Sequence, residues 1–442
     1  MKILHCLRNY FPDKVGGTEI YVEGLCKELQ VFTIESKILK PSFNNAPKAY
    51  TFNGIDVVEY LETSSPCPIL QAGLRAPDGI IHFKKLLLSE NPDAVHFHET
   101  AGSNGITIFH VMAAKEMGFP VFTTFHLAGN ICMRNNFLYK GKYDCNGIIN
   151  EYKCSVCMLQ KKGLPSVLPE ILSFLGKSFK QGISINGPGK LFNFPLHIRN
   201  HIERLITLNS YSEKMFVLSN WYKSLLVANG MDEDKIIVLP AAIPATNAAT
   251  TLKKNNTGID SKIRFVYAGR ISQVKGLHIL LAAVLQMKQS NWELDIYGAI
   301  SDEKYYSSCL KLTEKHLSIH WKGVMVHDKM IETIAGYDAL IFPSIIQETM
   351  GLAMLEAFAA TVPVIGSSIW SVKEQVQDSV NGILFKTGDV ASLKIVLEKL
   401  LNNPNVLKRM AASIKLPVEM AEVASLTVKA YKEVLEKTHY KI

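Results

Sequence analysis

Long apolar runs are missing from this chain. The longest, such as Ile279–Leu285, are far too short to cross a bilayer, so no spanning helix is expected. Blocks rich in lysine or arginine are missing too, and no aromatic-basic platform appears. That argues against a nucleic-acid partner. Cysteine is sparse. Eight in 442 residues do not suggest a disulfide scaffold. The opening MKILHCLRNYF has an apolar run broken by His5 and Arg8. It fails as a secretory leader and reads as a first buried strand. A cytoplasmic protein with reduced thiols is therefore the expectation.

What is present is ordinary for a globular protein: 48% hydrophobic and 20% charged residues. The length exceeds one ordinary core, and two domains are the natural division. The net charge of +8 is a modest excess. It is compatible with anionic nucleotide ligands or anionic lipid headgroups.

The most informative stretch is IFPSIIQETMGLAMLEAFAATVPVIG, Ile341–Gly366. A strand, Ala339–Phe342, stops at Pro343 and Ser344, and a second strand follows at Val362–Ile365. The residues between them, Gln347–Ala360, form a loop that becomes a helix, with Leu352, Leu355 and Ala359 as its core-facing stripe. A glycine-bearing loop that opens a helix makes an anion site, because first-turn N–H groups point outward. Met350, Gly351 and Leu352 are the expected donors. Glu348 and Glu356 flank them, eight positions apart.

A second strand–loop–helix unit occupies Ile263 to about Met287. Its loop carries Gly269, Arg270 and Lys275-Gly276. An arginine forks onto phosphate oxygens and a lysine adds a point charge, so a diphosphate is the expected guest. Strands at Glu293–Tyr297 and Leu317–Trp321 end near Gly298 and Gly323. In the first half, strand Lys2–Leu7 leads through Gly16 and Gly17 to a helix at about Thr18–Leu29, with Thr18 as its cap. No G-x-G-x-x-G opens it, which weakens a dinucleotide reading. Strand Asp93–His98 is followed by a helix and by strand Val121–Phe125, which ends at His126. A histidine just past a strand's carboxyl end faces the ligand crevice of an open α/β sheet. Alternatively it caps its own backbone. His96 and His98 alternate on the preceding strand and read as structural.

Four cysteines fall within 26 residues: Cys132, Cys145, Cys154 and Cys157, the last two as a C-x2-C knuckle. Four thiolates suit a closed, structural zinc site; ordinary buried or free thiols are the alternative. The stretch KKGLPSVLPEILSFLGKSFK, within 161–205, pairs helical apolar spacing with Lys161, Lys162, Lys177 and Lys180. It suits membrane-surface contact, an acceptor lid, or a helical insertion packed on the first domain.

Glu348 and Glu356 together with Gly269-Arg270…Lys275-Gly276 resemble the motifs of family 4 retaining glycosyltransferases, which have the GT-B fold. The likeness extends to Gly16-Gly17-Thr18-Glu19, to Thr124-Phe125-His126 without the frequent acidic neighbour, and to Asn381–Phe385. Thr361 stands where relatives usually have glycine, and Ile369-Trp370 replaces a frequent glycine pair. The resemblance implies two doubly wound, Rossmann-like domains facing a central cleft. Residues 1–244 would form the acceptor-side domain, with a Cys-rich insertion at about 130–160. A linker at 245–261 leads to the nucleotide-sugar domain, 262–417, and residues 418–442 form a helix packing back on the first domain. It implies sugar transfer from a nucleotide-sugar, UDP- before GDP- or ADP-, to a saccharide or lipid-linked acceptor, in cell-surface polysaccharide synthesis at the inner face of the membrane. Catalytic work would fall to His126, Arg270, Lys275 and Glu348 without a catalytic metal. Donor binding would use Gly16, Gly17, Gly269, Arg270, Lys275, Gly298, Gly323, Glu348, Met350, Gly351, Leu352 and Glu356. The competing reading is a non-transferase on the same fold, such as a sugar-nucleotide epimerase.

Overall fold

The computed structural model describes residues 1–13, 16–44, 46–64, 70, 75–98, 100, 105–165, 167–178, 188–243, 262–325 and 329–439. The expected linker and Lys180 lie outside them. The chain divides into two units. One is Met1–Pro240 with Met420–Ile442; the other is Ala241–Glu419.

The first unit is built on strands β1 (Lys2–Cys6), β2 (Glu35–Ser42), β3 (Ala49–Phe52), β4 (Ile55–Leu61), β5 (Ala94–Phe97) and β6 (Val121–Phe125). A short hairpin follows, β7 (Leu138–Tyr139) and β8 (Tyr143–Asp144), and then β9 (Lys214–Val217) and β10 (Ile236–Val238). The main sheet has the order β10-β9-β6-β5-β1-β2-β4-β3 and is parallel except for the β3/β4 pair. Helices between its parallel strands cover both faces, so β5 and β6 are buried at every position. The last helix, Met420–His439, packs on helix Gly17–Val31, and Tyr431 reaches His96 beneath it.

The second unit begins with β11 (Ala242–Ile243) and continues through β12 (Ile263–Ala268), β13 (Trp292–Tyr297), β14 (Ile319–Gly323), β15 (Ala339–Phe342), β16 (Val364–Ser367), β17 (Gly382–Phe385) and β18 (Val418–Glu419). Six of these form a parallel sheet, β14-β13-β12-β15-β16-β17. The outer two, β11 and β18, pair in parallel where the chain enters and leaves the unit.

Some element ends differ from the sequence reading. Helix Gly17–Val31 starts before Thr18, because Gly16 takes the extended conformation of the cap (φ −147°). Helix Leu352–Ala359 is not amphipathic in the expected sense: Met354 through Phe358 are all buried, while Leu352 and Ala359 are half-exposed. Among the described residues no helix is long and apolar enough to cross a membrane.

Candidate functional site

In the second unit, β12 and β15 lie side by side, with β13 and β14 beyond one and β16 and β17 beyond the other. The chain order reverses between β12 and β15. The connections leave on opposite faces at that point and open a crevice at the strands' carboxyl ends. Most of the second-unit residues singled out in the sequence fall on the two loops that border it.

The loop after β12 carries Gly269, Arg270 and the turn Gln273–Lys275. The loop after β15 carries Ser344, Glu348, Met350 and Gly351. They are tied together. The Ile345 amide donates to the Val274 carbonyl at 3.0 Å. Lys275 Nζ donates to Glu348 Oε1 at 2.6 Å, and the Ser344 hydroxyl donates to the same oxygen at 2.7 Å. Both members of the ion pair are largely shielded, with side chains 17% and 12% exposed. The tie requires glycine at 276. Its φ is +72°, and a Cβ there would lie 1.9 Å from the Pro343 carbonyl oxygen. Arg270, on the same loop as Lys275, is exposed, its carbonyl accepting from the Tyr267 hydroxyl at 3.0 Å.

Gly298 and Gly323 close the ends of the neighbouring strands. The Gly298 amide donates to the Gly323 carbonyl at 2.8 Å. A Cβ on Gly298 would meet the Gly269 carbonyl oxygen at 1.9 Å, so the backbones at the ends of β12 and β13 approach too closely for any side chain.

Gly351 is the N-cap of helix Leu352–Ala359. The amides of Leu352 and Ala353 therefore have no partner within the helix. Met350, expected among the donors, precedes the cap and is not a first-turn residue. Glu356 lies in the second turn, 4% exposed. Burial pushes its carboxyl up to about 7. The crevice thus combines an exposed guanidinium, a helix N-terminus, a paired lysine and a buried carboxyl. That set can hold an anion and, beside it, a neutral polyol.

In the first unit the chain order reverses between β1 and β5. Gly16 and Gly17 open the helix after β1, and His126 follows β6 directly. Tyr21, one turn into that helix, packs edge-on against the His126 ring with centroids 4.9 Å apart. His126 is buried, and burial lowers its pKa to about 3, so the ring is neutral. Its Nε2 meets His98 Nδ1 at 3.2 Å, and His98 Nε2 meets His5 Nδ1 at 3.0 Å. The sequence reading set His96 and His98 aside and did not single out His5 or Ser344. The signal for the histidines was the alternation of His96 and His98 on one strand face, beside β1.

Cys132, Cys145, Cys154 and Cys157 line one cavity of about 40 Å³, between the β7/β8 hairpin and helix Glu151–Lys161. All four are free thiols. The Lys140 amide donates to Cys157 Sγ at 3.2 Å and the Asn150 amide to Cys154 Sγ at 3.5 Å. Burial raises the Cys154 thiol to about 11 and the Cys157 thiol as well. In number and chemistry the set fits zinc. In distance it does not yet close. Among the described residues the only three candidate ligands within 4.8 Å of one another are His5, His96 and His98, whereas tetrahedral thiolates around zinc sit about 3.8 Å apart.

Residues 249–416 match the family model for group 1 glycosyl transferases. Glycogen synthase of Mycobacterium tuberculosis is 25% identical over 183 residues, which is 41% of this chain and 43% of the relative. The chain thus spans less than half the length of that curated relative. Two solved structures align along almost the whole chain. An Anabaena protein, HepE, solved with UDP and glucose, matches with a TM-score of 0.61 and 13% identity over 100% of both chains. Sucrose-phosphate synthase from Thermosynechococcus elongatus matches with a TM-score of 0.63 and 15% identity over 99% of both. At such identities the likeness shows the fold, GT-B, with its two doubly wound α/β units.

Proposed function

We propose that the protein is a retaining, family 4-type glycosyltransferase that moves a sugar from a nucleotide-sugar to a saccharide or lipid-linked acceptor. The observation that carries this reading is the crevice between β12 and β15, where Lys275, Glu348 and the helix start at Leu352 converge beside Arg270. The relatives' own names point the same way, and one structural neighbour holds UDP and glucose.

The assigned roles follow from charge and position. Arg270 and the amides of Leu352 and Ala353 receive the diphosphate. As the bond to the sugar breaks, negative charge grows on the leaving phosphate, and these fixed donors stabilise it without reorganising. Lys275 adds charge there while holding Glu348 in place. Glu348 faces the transferred sugar, whose anomeric carbon becomes oxocarbenium-like. Glu356 accepts hydrogen bonds from the ribose hydroxyls. Gly298 and Gly323 leave room for the base. In the first unit, Gly16, Gly17 and His126 serve the sugar and its acceptor. Cell-surface polysaccharide assembly and a preference for UDP- over GDP- or ADP-sugars belong to the same reading.

Incubation with each nucleotide-sugar and a panel of acceptors tests it. Acceptor-dependent release of nucleoside diphosphate, with the anomeric configuration kept in the product, is the expected result. Interconversion of the nucleotide-sugar without acceptor would favour the epimerase reading.

Helix Leu168–Gly176 supplies a membrane contact. Pro169, Leu172, Ser173 and Gly176 are turned inward, and a Cβ on Gly176 would strike the Phe192 carbonyl oxygen at 2.5 Å. The other side leaves Val167 62%, Ile171 49% and Phe174 69% exposed, next to exposed Lys161, Lys162 and Lys177. The one acidic residue on this helix, Glu170, is paired with Lys140 at 3.0 Å. Two copies meeting through this face would bring like charges together, whereas an anionic bilayer satisfies both stripe and lysines. Phe174→Asp should cut co-sedimentation with phosphatidylglycerol vesicles roughly tenfold or more. Equal binding of both proteins, or concentration-dependent dimers lost in the variant, would contradict the assignment.

The four cysteines are proposed to close on one structural zinc. Elemental analysis of protein purified without added metal should find about one zinc per chain. A folded, metal-free protein would remove the proposal.

A further inference from the structure

The first unit holds a chain of three buried imidazoles, of which the function above uses only His126. His5, on β1, and His98, just past β5, are fully buried, and His126 follows β6. Their nitrogens pair in series: His5 Nδ1 with His98 Nε2 at 3.0 Å, then His98 Nδ1 with His126 Nε2 at 3.2 Å. Burial lowers all three pKa values, those of His5 and His126 to about 3, so each ring is neutral and carries one proton. A neutral imidazole has one donor and one acceptor nitrogen. Two contacts in series therefore leave two arrangements. Either every proton sits on Nδ1 and the donors run from His5 to His126, or every proton sits on Nε2 and they run the other way.

His5 decides between them. Its Nε2 is buried with no hydrogen-bond partner among the described residues. If the protons sat on Nε2, this would be a buried N–H donor with no acceptor among the described residues. If they sit on Nδ1, it is an idle lone pair. Buried N–H donors without partners are the rarer of the two in folded proteins. His96, on the same strand, does not disturb the chain. Its nitrogens are taken by the Tyr431 hydroxyl at 2.5 Å and the Thr124 hydroxyl at 2.7 Å.

We propose that His98, backed by His5, is a positioning residue that holds His126 in the Nδ1–H tautomer. Nε2 of His126 is then committed as an acceptor, and Nδ1 carries the ring's proton. The ring can give a hydrogen bond to a sugar oxygen but cannot take a proton through Nε2. This last consequence rests on the reading of His126 as a sugar contact; the tautomer itself does not. The fixed tautomer also sets aside His126 as a general base, since its basic nitrogen already receives the His98 proton.

Nitrogen-15 NMR of protein with labelled histidine reads the tautomers directly. All three rings should show protonated Nδ1 and unprotonated Nε2, against the Nε2–H form that free imidazoles favour. In His98→Phe, which keeps a ring in place, His126 should move toward Nε2–H. In His98→Asn, whose amide can still donate from the Nδ1 position, it should return. Nε2–H at His126 in the parent protein, or no change in His98→Phe, overturns the proposal. So does a stoichiometric transition metal bound by His5, His96 and His98, since metal and not a proton would then join the rings. The parent measurement stands even if a variant fails to fold. Sugar transfer separates the two halves. A fall in kcat of up to about tenfold in His98→Phe, with KM for the donor little changed and recovery in His98→Asn, supports a positioning role. Tautomers as stated, with kcat unmoved in both His98→Phe and His126→Ala, would refute His126 as a sugar contact while leaving its tautomer assigned.

Discussion

Lys275→Ala should lower sugar transfer by roughly two orders of magnitude, the scale seen when one preorganised charge is removed from a leaving group. Two losses combine. The diphosphate loses a cation, and Glu348 loses the partner that holds it at 2.6 Å. Among the described residues Glu348 then keeps only the Ser344 hydroxyl, with its side chain 12% exposed. Such a carboxylate, its charge unpaired, turns toward water and no longer meets the sugar in a fixed position. Glu348→Ala should cost a similar factor, since the freed Lys275 is no longer aimed. The double substitution should be little worse than either alone, because the two act as a unit. The three variants, assayed side by side for turnover, decide the matter. Fully additive losses would mean that the pair seen here is incidental to catalysis.

Glu356→Gln should stabilise the free protein at alkaline pH and weaken its hold on nucleotide. The carboxyl is pushed up from 4.5 to about 7 by burial. A raised carboxyl favours folding fully below its unfolded value, and the advantage is lost as pH rises through the folded one. Between about pH 4.5 and 7, therefore, the native state loses on the order of 3 kcal/mol that a neutral amide would keep. At pH 8 the variant should melt several degrees higher than the parent protein, and at pH 4 the two should be alike. Calorimetry should at the same time show nucleoside diphosphate binding weakened by roughly tenfold or more, as a charged acceptor becomes a neutral one. A variant with unchanged nucleotide affinity would remove Glu356 from the ribose.

The strands and loops that carry these residues are legible in the sequence for a plain reason. A buried parallel strand is a short apolar run, and here such runs end in glycine-bearing loops. Val121–Phe125 and Ala339–Phe342 could be read to the residue. What escaped depends on strand order. Lys275 and Glu348 are 73 residues apart, and His5 and His98 are 93 apart; neither pair is visible until β12 is known to lie beside β15 and β1 beside β5. Strands β2 to β4 escaped because they are not apolar runs. Lys40 sits inside β2 only 4% exposed, its charge met by Asp13 at 2.5 Å and Glu59 at 2.9 Å. A lysine in sequence argues for the surface, and only the folded partners explain its burial. Thr18 has the stronger local preference for a cap, but the glycine pair lets the turn close earlier, at Gly16. Helix Leu352–Ala359 looks one-sided in sequence because Leu352, Leu355 and Ala359 repeat at helical spacing; packing instead buries Met354 through Phe358.

A crystal structure of the chain with nucleoside diphosphate bound tests the central claim most directly. The account expects the two phosphates at the carboxyl ends of β12 and β15, within hydrogen-bond reach of Arg270 and of the Leu352 and Ala353 amides, with the ribose hydroxyls on Glu356. A diphosphate held elsewhere, with that crevice empty at saturating ligand, would contradict it.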